Sequence, residues 1–343
     1  MRRREFGRLV GAGLALVVAT PISHAQTALP VIGILAHGSA AGFKQNEQWF
    51  REGLAKGGIE IGRHATLVHA FTEGRAEMLP SLAADLAARK VALIASTGDA
   101  PTQIAKKSSP TIPIVFSVGS DPVAQGLVAS LNRPGGNLTG VTNLNVELGP
   151  KRIEVLHEIL PKAATLALLV NPSSSFTPQA IRDAKAAAGR LGRGLTIVEA
   201  RAVADIEAVF PRLVEQHIGG LAISADAFFN NNSPRLAGLA LQYRLPAIYS
   251  NRDFSGAGGL VSYGTDLKDL FRQQGHYAAR VLKGERPADL PVQQAARIEM
   301  VVNLKTAAAL GLTVPRTSAR SRRRGDRMRK FQRVFLVGAA HSR

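Results

Sequence analysis

Hydroxyl, amide and carboxylate side chains recur at one kind of place in this 343-residue chain, immediately after short apolar runs. His37-Gly38-Ser39-Ala40 follows the first such run, Ser96-Thr97-Gly98-Asp99 a later one, and Ser117-Val118-Gly119-Ser120-Asp121-Pro122 the next. Asn143-Leu144-Asn145 ends a further extended run. In the second half the same position is taken by Asn171-Pro172-Ser173-Ser174-Ser175-Phe176, Ala225-Asp226-Ala227-Phe228-Phe229-Asn230 and Ser250-Asn251-Arg252-Asp253-Phe254. Such a set can hydrogen-bond a small zwitterion or polyol, and the phenylalanines can pack against its apolar part. Taken singly, Ser, Asn, Asp and Gly are equally good turn and helix-cap residues. The collection, presented to one cleft from both sides, is what points to binding.

The groups that would do covalent chemistry are missing. No G-x-G-x-x-G follows the first apolar run, and no G-x-x-x-x-G-K-[ST] loop occurs, so nucleotide phosphates lack their usual cradle. His64 and His69 lie five apart on a strand-like stretch, where an odd spacing sends them to opposite faces. His157, His217 and His276 fall on helices without a spaced ligand partner, and Asp121 and Asp253 have no paired carboxylate nearby in sequence. Asn137-Leu138-Thr139 matches a glycosylation sequon by accident of a glycine turn. Cysteine is absent, which excludes a thiol nucleophile, a thiolate metal site, a disulfide scaffold and a lipid-anchored Cys. No enzymatic activity, cofactor or metal is expected.

The elements that must carry those loops are legible as alternating strands and helices. Apolar runs at 31–36, 66–70, 91–95, 114–117 and 138–143 predict strands, with helices over 45–56, 76–89 and 101–107 between them. The second half repeats the rhythm with helices at 151–160, 177–191, 203–217, 234–243 and 267–283, and strands at 165–170, 195–199, 221–224, 247–249, 260–263 and 297–303. Strands spaced by helices of this length imply right-handed βαβ units in parallel sheets. There are too many strands for one comfortable sheet. The expectation is an α/β fold of two doubly wound parallel-sheet lobes joined by a hinge, with crossings near 142–143, 263–265 and 294. Lobe 1 then comprises 26–142 with about 264–293, and lobe 2 comprises 143–263 with about 294–315. In such sheets ligands sit beyond the carboxyl ends of the strands, where the loops described above emerge.

The net charge of +18 is concentrated at the ends. Residues 1–25 carry +3 and residues 316–343 carry +9, leaving 29 basic against 23 acidic groups in the body. A nucleic-acid partner for the body therefore loses its main support. Met1-Arg2-Arg3-Arg4-Glu5-Phe6-Gly7-Arg8, the apolar stretch 9–20 and Ser23-His24-Ala25 read as a secretory signal peptide, twin-arginine in style, cleaved near Ala25. No later stretch is apolar for the roughly 18 residues a membrane span needs.

Several blocks are recognisable. Ile112-Pro113-Ile114-Val115-Phe116, Asp121-Pro122-Val123, Gly126-Leu127-Val128-Ala129-Ser130-Leu131 and Arg133-Pro134-Gly135-Gly136-Asn137-Leu138-Thr139-Gly140 are joined by Leu245-Pro246-Ala247-Ile248-Tyr249, Ala257-Gly258-Gly259-Leu260-Val261-Ser262-Tyr263-Gly264 and Val302-Asn303-Leu304-Lys305-Thr306-Ala307. From Val31 to Pro315 the chain resembles the ABC-transporter substrate-binding family that includes tryptophan- and tyrosine-binding proteins. The resemblance implies a type I periplasmic-binding fold that closes on a small ligand and docks on ABC permease and ATPase subunits, acting as a monomer in the periplasm. It implies ligand contacts from Ser39, Thr97, Gly98, Ser117 and Asp121 on lobe 1, Asn143 at the crossing, and Asn171, Phe176, Asp226, Phe229 and Asn251 on lobe 2. For an amino acid, hydroxyls and N–H groups would hold the carboxylate, Asp226 the ammonium, and Phe176 or Phe229 would cover the side chain. The alternative use of the same cleft is a sensor that signals to a membrane receptor. A two-lobed transcriptional regulator would need an N-terminal helix-turn-helix where this chain has an export signal.

The likeness fails from Arg316 onward, and the tail is expected to lack structure. Codons CGC CGA CGA GGT GAT CGA ATG-A would encode Arg322-Arg323-Arg324-Gly325-Asp326-Arg327-Met328. Read one nucleotide later, they give Ala-Asp-Glu-Val-Ile-Glu and a stop, the kind of ending the family carries. The tail is therefore read as a frameshifted segment, with a basic arm for nucleic acid or anionic lipid as its rival. Sequencing the gene's 3′ end is the check, and a reading frame that cannot yield that phrase removes the frameshift.

Overall fold

The computed structural model describes residues 29–161, 165–174, 176–295, 297–313 and 332–337. The signal-peptide stretch 1–25 and most of the tail lie outside the described residues. The first half runs β1 (Val31–Ala36), α1 (Ala40–Lys56), β2 (Thr66–Phe71), α2 (Leu79–Ala88), β3 (Leu93–Thr97), α3 (Asp99–Ser108), β4 (Ile114–Val118) and β5 (Leu138–Thr142). The second half runs α4 (Gly149–Ile159), β6 (Thr165–Val170), α5 (Thr177–Arg190), β7 (Gly194–Glu199), α6 (Val203–Glu215), β8 (Gly220–Ile223), α7 (Ala227–Asn231), α8 (Ser233–Gln242), β9 (Ala247–Tyr249), α9 (Arg252–Gly256) and β10 (Val261–Thr265). It ends with α10 (Leu267–Leu282), β11 (Gln293–Gln294), β12 (Ile298–Asn303), α11 (Leu304–Ala309) and β13 (Gln332–Val337).

Two sheets result, in spatial order β11-β5-β4-β3-β1-β2 and β13-β12-β10-β9-β8-β6-β7. Setting the late strands aside, the two halves share one topology: the second strand of each lies outside the first, and the third to fifth follow on the other side. All pairs within β1–β5 and within β6–β10 are parallel, while β12 runs antiparallel to β10. The expected α/β architecture of two parallel-dominated sheets is what forms. The inner strands are apolar on both faces because helices cover both. One layer packs Phe43, Phe50, Phe271 and Tyr277 against the first sheet, and another packs Leu79, Leu86 and Phe116. On the second sheet Ile153, Leu156 and Ala187 lie on one side and Phe210, Leu236 and Phe254 on the other. The chain passes between the sheets three times: after β5, after β10, and between β11 and β12.

The second passage returns α10 to the first sheet, where it packs along α1. Glycine makes this possible: a Cβ on Gly275 would lie 2.0 Å from the Phe50 carbonyl oxygen, and one on Gly53 2.1 Å from that of Arg272. Gln274 then reaches through to the sheet, its Nε2 donating to the carbonyls of Ser96 and Val115 at 3.0 Å each. The two backbones touch, and a side chain cannot enter without separating the helices.

Some boundaries differ from expectation. Helix α1 starts five residues before the expected 45, at the Ser39 cap, and β3 lies two residues later than 91–95. The loops after β8 and β9 are the short helices α7 and α9, because Asp226 and Asn251 cap them. Gln332–Val337, within the tail expected to lack structure, runs parallel along β12. Its sequence QRVFLV has the apolar content of an edge strand. Among the described residues no helix is long and apolar enough to cross a membrane.

Gly275→Val should destabilise the protein by about 2–3 kcal/mol through overpacking. Urea unfolding followed by circular dichroism checks this, and an unchanged midpoint would contradict the close approach.

Candidate ligand-binding cleft

The carboxyl ends of the two sheets face each other across a narrow gap. The loop after β1 meets the loop after β8: His37 lies within electrostatic reach of Asp226. Gly38, with φ of 94°, sits against Asn231, whose Nδ2 would be 2.4 Å from an added Cβ. The loop after β1 is tied by hydrogen bonds of its own. Gly38 donates to Thr72 Oγ1 at 3.2 Å, and Ser39 Oγ accepts from the Gly42 amide at 3.2 Å as the cap of α1.

On the first-sheet wall, Thr97 and Ser117 are neighbours at the ends of β3 and β4, and Ser117 Oγ donates to Thr97 Oγ1 at 3.4 Å. Gly98, with φ of 98°, turns the chain into α3. The next residue, Asp99, is turned inward and accepts from the Ser120 hydroxyl and from the amides of Gly119 and Ser120. Burial pushes its carboxyl up from the ordinary range, and these donors oppose that push. Asp121 is not in this network. It is exposed and caps its own turn, accepting from the amides of Val123 at 2.8 Å and Ala124 at 3.3 Å.

On the opposite wall Asn171 Nδ2 donates to Asp226 Oδ1 at 3.1 Å, and the Phe228 amide donates to the same oxygen at 2.8 Å. Burial raises the Asp226 carboxyl, while Asn171, the amides at the start of α7 and His37 work the other way. Burial holds the His37 imidazole below its usual range, with Asp226 opposing. Phe176, half-buried at the start of α5, borders a pocket with Ser174, Thr177, Ser224 and Val146. At the crossing, Asn143 Oδ1 accepts from the Asn145 amide at 3.0 Å and its carbonyl accepts from Thr265 Oγ1 at 3.3 Å, so two crossings are tied there.

Besides Asp121, two expected contacts lie elsewhere. Phe229 is wholly buried in the core with Phe210, Leu236, Tyr249 and Phe254, because the first turn of α7 rolls it under the helix. Asn251 is buried with both ends of its amide used: Oδ1 accepts from the Phe254 amide at 3.2 Å and Nδ2 donates to Asn230 Oδ1 at 2.8 Å. The structure thus brings His37, Asn171 and Asp226 together, and separately Thr97 and Ser117, but not Asp121, Phe229 or Asn251. Missing from the expected set are His37, Asp99, Ser120 and Arg152. Arg152 was detectable: it stands four and seven residues before the buried Leu156 and Ile159, a charge on an apolar stripe. Among the described residues no group of His, Asp or Glu is gathered as a metal site.

The family model described as "ABC transporter substrate binding protein" matches residues 30–321. The chain belongs to that family. Its members are binding proteins rather than enzymes. A curated relative, the tyrosine-binding protein of Clostridioides difficile, is 26% identical over 233 residues, covering 68% of this chain and 66% of that protein, just under two thirds of its length. Among solved structures, the ABC domain in complex with L-Trp from Streptococcus pneumonia is 23% identical with a TM-score of 0.76, covering 84% of this chain and 97% of that one. A ligand-free, open structure of a substrate-binding protein with adhesive properties from Clostridium difficile is 25% identical with a TM-score of 0.60, covering 84% and 96%. The fold is the type I periplasmic-binding fold.

Phe229→Ala should cost about 3–5 kcal/mol of stability as a core deletion, and Asn251→Ala about 1 kcal/mol as a lost cap. Chemical denaturation of the purified variants reads both. A Phe229→Ala protein as stable as the parent would return that ring to the list of ligand contacts.

Proposed function

We propose that this chain is the exported receptor of an ABC importer and that it captures an amino acid, of the aromatic class, between its lobes. The observation that carries the reading is the Asp226 carboxylate, fixed by Asn171 and the α7 amide at the face of the gap, with His37 opposite. A carboxylate so placed suits an α-ammonium group, and the half-buried Phe176 ring offers an apolar neighbour for a side chain. Thr97, Gly98 and Ser117 supply polar groups from the other wall, and Ser39 and Asn143 border it. The names of the tyrosine-binding relative and of the L-Trp complex support the aromatic class. Over the whole chain the fold is more similar to that of the L-Trp complex, at a TM-score of 0.76, than to that of the ligand-free, open structure at 0.60.

The lobe boundaries proposed are 26–142 with about 264–293 and 143–263 with about 294–315; the membership of β11 in the first sheet and β12 in the second supports them. Delivery to a permease and its ATPase, and export through the N-terminal signal near Ala25, belong to the same reading and are supported by the family match.

Thermal-shift measurements on the purified full chain with L-tyrosine, L-tryptophan, L-leucine and D-ribose test the substrate class. A ligand at 100 times its dissociation constant adds about 2.7 kcal/mol of stability, which is a readily measured rise in melting temperature. A response to ribose and none to any amino acid would overturn the reading. Asp226→Ala should weaken amino-acid binding about 10- to 100-fold by titration calorimetry. Because the Asp226 carboxyl is raised, its protonation on acidification begins above the ordinary aspartate range. Affinity should therefore fall as pH drops through that raised range, and Asp226→Asn should abolish this dependence.

A further inference from the structure

Arg152, on the first turns of α4, is 2% exposed, yet no carboxylate among the described residues pairs with it. Its Nε donates to the Tyr263 carbonyl at 2.8 Å, and its Nη2 to the Asn145 carbonyl at 2.9 Å and to Asn145 Oδ1. All three acceptors are neutral. The third nitrogen, Nη1, makes no hydrogen bond to a described residue. A buried guanidinium without a counter-charge is costly, and burial brings its proton affinity down to about 10. The same guanidinium borders the pocket that Val146, Ser174, Phe176, Thr177 and Ser224 line. Thr177 Oγ1 is committed to the Asn171 carbonyl, while Ser224 Oγ has no partner among the described residues. The pocket thus holds an apolar ring, a free hydroxyl and an uncompensated positive charge.

We infer that Arg152 is the seat for a carboxylate of the bound molecule, which approaches the free Nη1 edge and supplies the counter-charge that the fold withholds. Ser224 donates a second hydrogen bond to that carboxylate, and Phe176 flanks the rest. This deepens the amino-acid reading and rests on it: Ala225 lines the pocket and Asp226 follows it, so carboxylate and ammonium meet opposite charges on adjoining parts of one wall. Arg152 also grips Asn145 after the first crossing and Tyr263 at the second, so a ligand seated there contacts the residue that ties the hinge. The competing account is that Arg152 only ties those crossings.

Titration calorimetry on the full chain with L-tyrosine and L-tyrosinamide separates the two accounts, since the amide keeps the ammonium and ring but loses the negative charge. The parent protein should bind L-tyrosine about 10- to 100-fold more tightly than the amide, as expected for charge-assisted hydrogen bonds. In Arg152→Gln the affinity for L-tyrosine should fall by a similar factor while that for the amide changes little, erasing the preference. Circular dichroism melting shows which variants fold; Arg152→Lys, which keeps a charge but not the fork, should retain part of the preference. Equal binding of acid and amide by the parent overturns the Arg152 assignment and leaves the amino-acid reading standing. A preference that survives in folded Arg152→Gln likewise makes the residue a hinge tie alone. Failure of the parent to bind either compound overturns both.

Discussion

Two parallel sheets make one binding cleft only if their carboxyl ends face each other, and the three passages of the chain between them impose that arrangement. Each lobe presents its loops at one end because every strand from β1 to β5, and from β6 to β10, points the same way. With a single connection the lobes could rotate freely. Three passages hold the two halves together at three points instead of one. The polar ties sit at those passages: Asn143 binds Thr265 across two of them, and Arg152 binds Asn145 and Tyr263. The glycine contact between α1 and α10 holds the returning segment to the first sheet.

The cleft walls are built to stay polar without collapsing. Asp99 and Asp226 are carboxylates drawn out of water, which is unfavourable for their charge, and each is steadied by neutral donors: Ser120 and backbone amides for one, Asn171 and the start of α7 for the other. Neutral donors hold a carboxylate in place without cancelling its charge. Such a group remains able to attract a cation. Ion pairs elsewhere, such as Arg280 with Glu285 and Arg89 with Asp85, lie on the exposed surface, where they contribute little to stability.

Cap residues and cleft-facing residues are of the same types, and one side chain can serve in both places. Ser39, Asp121 and Asn251 use their side-chain oxygens on amides two or three residues ahead. Asp226 does both, capping α7 through Oδ1 while meeting Asn171 and His37. The difference lies in which way the following helix turns, and that depends on what each helix packs against. Phe228 and Phe229 show the same point: adjacent in sequence, one is half-buried and the other is enclosed in the core.

Much of the fold is legible from local chemistry, because a strand buried on both faces must be continuously apolar and a helix covering it must alternate at its own period. That is why the positions of β1, β4, β6 and β9, and the existence of two lobes, follow from the residues alone, as does membership in a ligand-binding family. Short helices such as α7 and α9 escaped, being too brief for a period and nucleated by a single cap. What only the tertiary structure decided is which polar groups meet. His37 and Asp226 are 189 positions apart, and Arg152 reaches Tyr263 across 111. Pairings of that kind depend on the facing of two sheets and the course of three crossings, which no local pattern encodes. Local composition selects the elements, and long-range packing assigns each polar side chain to cap, core or cleft.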